Sequence, residues 1–193
     1  MEESMLSIKI LLITLVSLIL SNPVLSFAEV RKDYYPSGEL KIEAHYKNGK
    51  KEGIQKIYYE SGNLESETNY KNNKREGNAK SYYGNGQLQG EGNFKNDKLE
   101  GIGKLFYENG QLDKEINYKN DKAEGIAKSY YENGQLHEEG NFKNGNQDGI
   151  AKWYYENGKI KFIDIYKNGQ KIKRKAYDRR GKLKFNQDYP YTE

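Results

Sequence analysis

The sequence predicts an all-β protein, an elongated meander of tandem antiparallel β-hairpins. Three observations predict it. A Tyr-Tyr pair, Phe-Tyr once, stands at positions 34/35, 58/59, 82/83, 106/107, 130/131 and 154/155, always 24 residues apart. A fixed step of this size is the mark of a repeat architecture. Gly38, Gly62, Gly86, Gly110, Gly134 and Gly158 keep the same step, as do Leu40, Leu64, Leu88, Leu112, Leu136 and Ile160. Aliphatic residues are scarce after residue 28, so the body has to be built on tyrosine, whose ring buries area while its hydroxyl keeps a polar partner.

Each unit reads as two strands and two turns. In the fifth unit, GIAKSYY at 125–131 is a first strand, ENG at 132–134 a turn, QLHEEGNFK at 135–143 a second strand, and NGNQDG at 144–149 the connection onward. Asn-Gly between alternating segments is a strong hairpin signal, and connections this short force antiparallel neighbours. Six units give twelve strands and a sheet about 55–60 Å wide at about 4.8 Å per strand. A third aromatic column, Tyr46, Tyr70, Phe94, Tyr118, Phe142 and Tyr166, completes the period. Fifteen of the 18 tyrosines fall in these columns, so the repeat accounts for the tyrosine content.

The period of two along a strand sorts the faces. Leu136, Glu138, Gly140 and Phe142 point one way, and His137, Glu139, Asn141 and Lys143 the other. The second set is charged or amidic in every unit and predicts a solvated face with cross-strand charge pairing. On the first strand, the column Tyr35, Tyr59, Tyr83, Tyr107, Tyr131 and Tyr155 is assigned to the packed stripe, beside small residues. The column Tyr34, Tyr58, Tyr82, Phe106, Tyr130 and Tyr154 lies with Lys56, Lys80, Lys104, Lys128 and Lys152. These eleven residues are the predicted solvent-facing strip and the candidate binding face, because exposed tyrosine gives contact area at low entropy cost.

Three regions follow. Residues 1–28 read as a secretory signal: an apolar run IKILLITLVSLIL at 8–20, then Pro23, then Ser26-Phe27-Ala28 with cleavage after Ala28. The run is shorter than the roughly 20 residues a membrane span needs. A start at Met5 removes Glu2 and Glu3 from the leader and leaves Lys9. Residues 29–169 hold the six repeats, and 170–193 a degenerate basic cap with eight cations from Lys171 to Lys184. Such charge keeps a terminal strand from pairing with another chain. The expected destination is the periplasm or the cell exterior.

Composition excludes several chemistries. With no cysteine there is no disulfide, thiolate metal site or Cys nucleophile. His45 and His137 lie nearly four units apart and cannot share a metal. Glu138 and Glu139 are adjacent in a strand and point to opposite faces, which defeats an acid–base pair. No phosphate-binding glycine loop is present, since each glycine belongs to a turn or strand column. No cofactor is expected. The net charge of +4 is mild and well mixed and calls for no nucleic acid partner.

The pattern YYENGQL, EEGNFKNG and DGIAK, with the turns KNGKKEG at 47–53 and ENGQL at 132–136, resembles the variant form of the MORN repeat from residue 34 to about 169. The classical unit, which opens Tyr-x-Gly-x-Trp, does not fit. The resemblance implies an elongated hairpin array that makes protein or membrane contacts and has no catalytic residues. Some variant-repeat proteins are described as antitoxin-like, a role that a secretion signal opposes. Aromatic-rich hairpin repeats of choline- or glucan-binding wall modules are a second resemblance, but they need several tryptophans per site, and Trp153 stands alone. The partner expected is a protein or a cell-envelope polymer, with an anionic membrane surface at the basic end as the alternative and toxin neutralisation as a third reading.

Overall fold

The computed structural model describes residues 27–192. The predicted signal lies outside the described residues except for its last two positions, of which Ala28 opens the first strand opposite Lys47. Among the described residues there is no helix. Fifteen strands run as β1 Ala28–Tyr34, β2 Leu40–Lys47, β3 Lys50–Tyr58, β4 Leu64–Lys71, β5 Lys74–Tyr82, β6 Leu88–Lys95, β7 Lys98–Leu99, β8 Gly101–Phe106, β9 Leu112–Lys119, β10 Lys122–Tyr130, β11 Leu136–Lys143, β12 Asn146–Tyr154, β13 Ile160–Lys167, β14 Gln170–Tyr177 and β15 Leu183–Asp188. They form one open antiparallel sheet in chain order, with β7 and β8 as two pieces of one interrupted strand. The twelve expected strands are present, and the basic cap adds the hairpin β14–β15.

The two turns are built differently. At the Tyr-Tyr edge, Tyr131 N donates to Gln135 O and Gly134 N to Tyr131 O, both at 2.8 Å. Gly134 sits at φ +82°, a left-handed position that closes a type I turn with a glycine bulge. The opposite edge corrects the expected six-residue connection. Asn144 and Gly145 (φ 52° and 88°) alone make the turn, and β12 resumes at Asn146. Two residues at positive φ are what a type I′ hairpin needs. Asn72-Asn73 and Asn96-Asp97 supply the same geometry without glycine, which short polar side chains tolerate. The acid–glycine pair that follows becomes a bulge, seen as the register shift between Gly140 and Phe142 opposite β12.

Units are joined at both edges. At one, Tyr35, Tyr59, Tyr83, Tyr107 and Tyr131 each donate a hydroxyl to the backbone carbonyl 23 residues ahead, at 2.6–2.7 Å. Tyr155 closes the row on Tyr177 O at 3.0 Å. At the other edge, the bulge acids Glu52, Glu76, Glu100, Glu124 and Asp148 accept the N–H of the next turn's asparagine, at 2.8–3.2 Å. Charge-assisted bonds to an orphan turn N–H are among the stronger polar contacts.

The core is thin. The buried apolar side chains among the described residues are Ala44, Ala151 and Ala176. They belong to the inner face, where small residues stand opposite one another along Thr68, Ala79 and Gly92 and again along Ala127, Gly140 and Ala151, with Gln55 between Ala44 and Thr68 and Ile116 beside Ala127. The third aromatic column lies on this face, with Lys51 4.9 Å over Tyr70 and Arg75 4.0 Å over Phe94.

In the sixth unit the small-residue position is Asp164, fully buried. Arg174 grips it through two bonds of 2.7 Å, and Lys171 Nζ lies at 2.8 Å. Burial opposes ionisation of Asp164, but the Arg174 and Lys171 contacts outweigh it and hold the carboxyl below the usual aspartate range. A depressed carboxylate stabilises the fold above its unfolded value of about 4 and loses that contribution as pH falls through the lower folded value. Replacing Asp164 by Asn should therefore cost about 2 kcal/mol at neutral pH, discounted because Arg174 and Lys171 still reach water. In urea titrations the gap between wild type and Asp164→Asn should narrow as the pH drops below that value. A gap that holds constant into acid would show that the cluster does not act through ionised Asp164.

Candidate functional site

The outer face carries the predicted strip. Along the middle of the sheet, cross-strand partners follow one another as Lys32, Glu43, Lys56, Glu67, Lys80, Glu91, Lys104, Glu115, Lys128, Glu139 and Lys152. Every lysine in this row after the first lies between two glutamates until Ile163 ends the alternation. Rungs close to ion-pair distance at Lys32–Glu43 (2.9 Å), Lys152–Glu139 (3.0 Å) and Lys104–Glu115 (3.8 Å). Each exposed pair contributes little alone. The row as a whole cancels its own field, so the face is polar without being strongly basic.

The first tyrosine column shares this face. Tyr154 Oη donates to Glu139 at 2.8 Å beside Lys152, and Tyr82 Oη to Glu67 at 3.1 Å. The structure thus brings the predicted lysines and tyrosines together and adds the glutamates between them. It corrects the degree of exposure: Tyr34 is 58% exposed, but Tyr58, Tyr82, Phe106, Tyr130 and Tyr154 are half-buried, like Lys56, Lys80, Lys104, Lys128 and Lys152. At Tyr82 and Tyr154 the cause is visible, since each ring leans over the glutamate row to reach a carboxylate. The second tyrosine column, Tyr35 to Tyr155, is also half-buried, and its hydroxyls are all committed to the inter-unit bonds.

Burial and the Glu139 contact push the Tyr154 phenol up to about 12. The same bond, with Lys152, holds the Glu139 carboxyl below its usual range. Burial and Glu67 likewise raise Tyr82.

The period of two puts Ile126 on the face of Lys128 and Tyr130, and its column lies outside the eleven candidate residues. Val30, Ile54, Ile102, Ile126 and Ile150 stand two residues before the outer-face lysines and are exposed, with Ile126 at 62% and Ile102 at 56%. Their step of 24 is in the sequence, broken by Asn78 before Lys80; their extent of exposure comes from the structure. The role of the bulge acids is likewise new: an acid precedes glycine at each step, and in sequence the pair reads as part of the connecting turn.

At the basic end, Lys171 and Arg174 are taken up by Asp164, and Lys173 pairs with Asp188 at 3.0 Å. With Arg180 3.9 Å from Asp178, four of the eight cations are therefore paired within the chain. Among the described residues no cluster of three or more His, Asp or Glu side chains could hold a metal ion. The inner face holds a basin of about 350 Å³ over Ser66, Ala79 and Gly90, walled by Phe94, Leu99 and Tyr118.

The Glu139→Gln variant should bring the Tyr154 phenol down from about 12, because the neutral amide no longer opposes phenolate formation. Selective tyrosine labelling and a pH titration followed by NMR would read it. A Tyr154 titration unchanged by the substitution would contradict the contact.

No curated protein matches this sequence. Among solved structures, a crystal structure of a mutant S. aureus TarM in complex with Fondaparinux, alpha-GlcNAc-glycerol and UDP is similar over 72% of this chain and 23% of that one. The identity is 11% and the TM-score 0.35, a level that carries no argument. The model of the MORN repeat variant matches six segments, 30–48, 51–72, 75–96, 99–120, 123–144 and 147–168, and the chain belongs to that family.

Proposed function

We propose that this protein is an exported, non-catalytic repeat scaffold that holds a protein or a cell-envelope polymer on its outer face. MORN repeats are in general binding and scaffold repeats. The observation that carries the reading is the division of labour between the two tyrosine columns. One column is consumed by inter-unit bonds, and the other lies on an open, regular face with the Lys–Glu row. Function belongs to such a site rather than to the fold. The apolar run at 8–20 and the small residues at 26 and 28 support export. His45 and His137 in separate units, and glutamates paired to lysines across strands, support a role without catalysis.

The test is cross-linked capture from the native envelope, with the mature N-terminus read in the same sample. The combined variant Lys104→Gln, Lys128→Gln and Tyr130→Ser should lose the captured partner while keeping its β-sheet circular dichroism. The N-terminus should begin at Glu29. Unchanged capture by a folded variant, or retention of an intact leader in the cytosol, would overturn the proposal.

A further inference from the structure

The outer face has a second regularity that the scaffold reading leaves unspecified. Ile102, Ile126 and Ile150 project from every second strand and are 55–62% exposed. Two strands span about 9.6 Å, so the face presents aliphatic knobs at that pitch. Between them run asparagines. Ile102 stands opposite Asn117, and Ile126 opposite Asn141. Asn117 Nδ2 is held by Glu124 O at 3.0 Å and Asn141 Nδ2 by Asp148 O at 2.8 Å. With the amide nitrogens fixed, each Oδ1 is left as an oriented acceptor. Beside them lies the Lys–Glu row, donors and acceptors in strict alternation. Ile126 and Ile150 bound a groove of about 470 Å³ that also contains Glu139, Asn141 and Lys152.

These features together define a ligand. It is linear, because the knobs form a row. Its repeat matches two strands. It carries an apolar patch and an N–H donor in each repeat, for the isoleucine and the asparagine Oδ1. It bears many hydroxyls, for the Lys–Glu row, and has low charge density, because each lysine of the row already faces at least one glutamate across the strands; a dense polyanion gains little there. A β-1,4-linked chain of 2-acetamido sugars has these properties. Successive rings alternate in orientation, so acetamido groups on one side recur once per disaccharide, close to the two-strand pitch. The methyl of each acetamido group meets an isoleucine, and its N–H meets an asparagine Oδ1. We propose that the outer face binds a linear β-1,4-linked 2-acetamido glycan strand of the cell envelope, register set by Ile102, Ile126 and Ile150. This rests on the scaffold reading and names the polymer.

The full mature chain is titrated calorimetrically with a peptide-free envelope glycan hexasaccharide, with its disaccharide, and with a β-1,4-glucose hexamer. The hexasaccharide should bind at least about tenfold more tightly than the disaccharide, since added knobs engage added repeats. It should also bind about tenfold more tightly than the glucose hexamer, which has no acetamido group to pair with the asparagines. The double variant Ile126→Ser and Ile150→Ser changes two exposed side chains and should keep the fold. It should weaken the hexasaccharide by about tenfold or more. Absence of hexasaccharide binding, equal affinity for the glucose hexamer, or binding indifferent to the isoleucine variant would each overturn the proposal. If the same face captures an envelope protein while the hexasaccharide does not bind, the glycan proposal fails and the scaffold reading stands.

Discussion

The hydroxyl of one tyrosine per unit, bonded to a backbone carbonyl 23 residues ahead, is the contact on which the array depends. A single-layer sheet with three buried alanines has little apolar area to hold it together. Strand pairing alone leaves each hairpin free to twist or slip against the next. The tyrosine bond pins one edge at a fixed offset, and the bulge acid bonded to the next turn pins the other. Because both clamps reach only the adjacent unit, stability is close to a sum over neighbours.

That offset is also what makes the outer face usable. Rows of lysine, glutamate, isoleucine and tyrosine stay aligned across the sheet because every unit advances by the same amount. A face of this kind recognises by spacing more than by any one residue. The C-terminal end shows how the array stops. Asp178 replaces the clamp tyrosine, Ile163 ends the charge alternation, and the buried Asp164 with Arg174 and Lys171 replaces the small-residue contact. The cap hairpin is thus fixed to the sixth unit by an ion pair besides the Tyr155 hydroxyl, where the fifth and sixth units meet through Gly140 and Ala151. The cost of burying charge is met by a bidentate guanidinium.

The hairpin array was legible because turn chemistry is strict. Gly134 has to accept a positive φ, and Asn144-Gly145 has to make a type I′ turn. The faces were legible from the period of two, as Lys128 opposite Glu139 shows. Three features were not. The bulge at the acid–glycine pair looked like turn, because Asp148-Gly149 follows a real turn and has turn composition. The half-burial of Tyr82 and Tyr154 depends on how far a ring leans toward a carboxylate on the next strand. The exposure of Ile126 and Ile150 depends on nothing covering that face, which a strand pattern does not record.

The clamp is tested most directly by Tyr83→Phe, Tyr107→Phe and Tyr131→Phe, made singly and together, with urea unfolding as the measurement. Phenylalanine keeps the ring and removes only the donor, leaving the carbonyls of Phe106, Tyr130 and Tyr154 without it. Each substitution should cost about 1 kcal/mol, and the three losses should add, since the clamps share no partner. A triple variant as stable as wild type would contradict the claim that these hydroxyls set the register of the repeats.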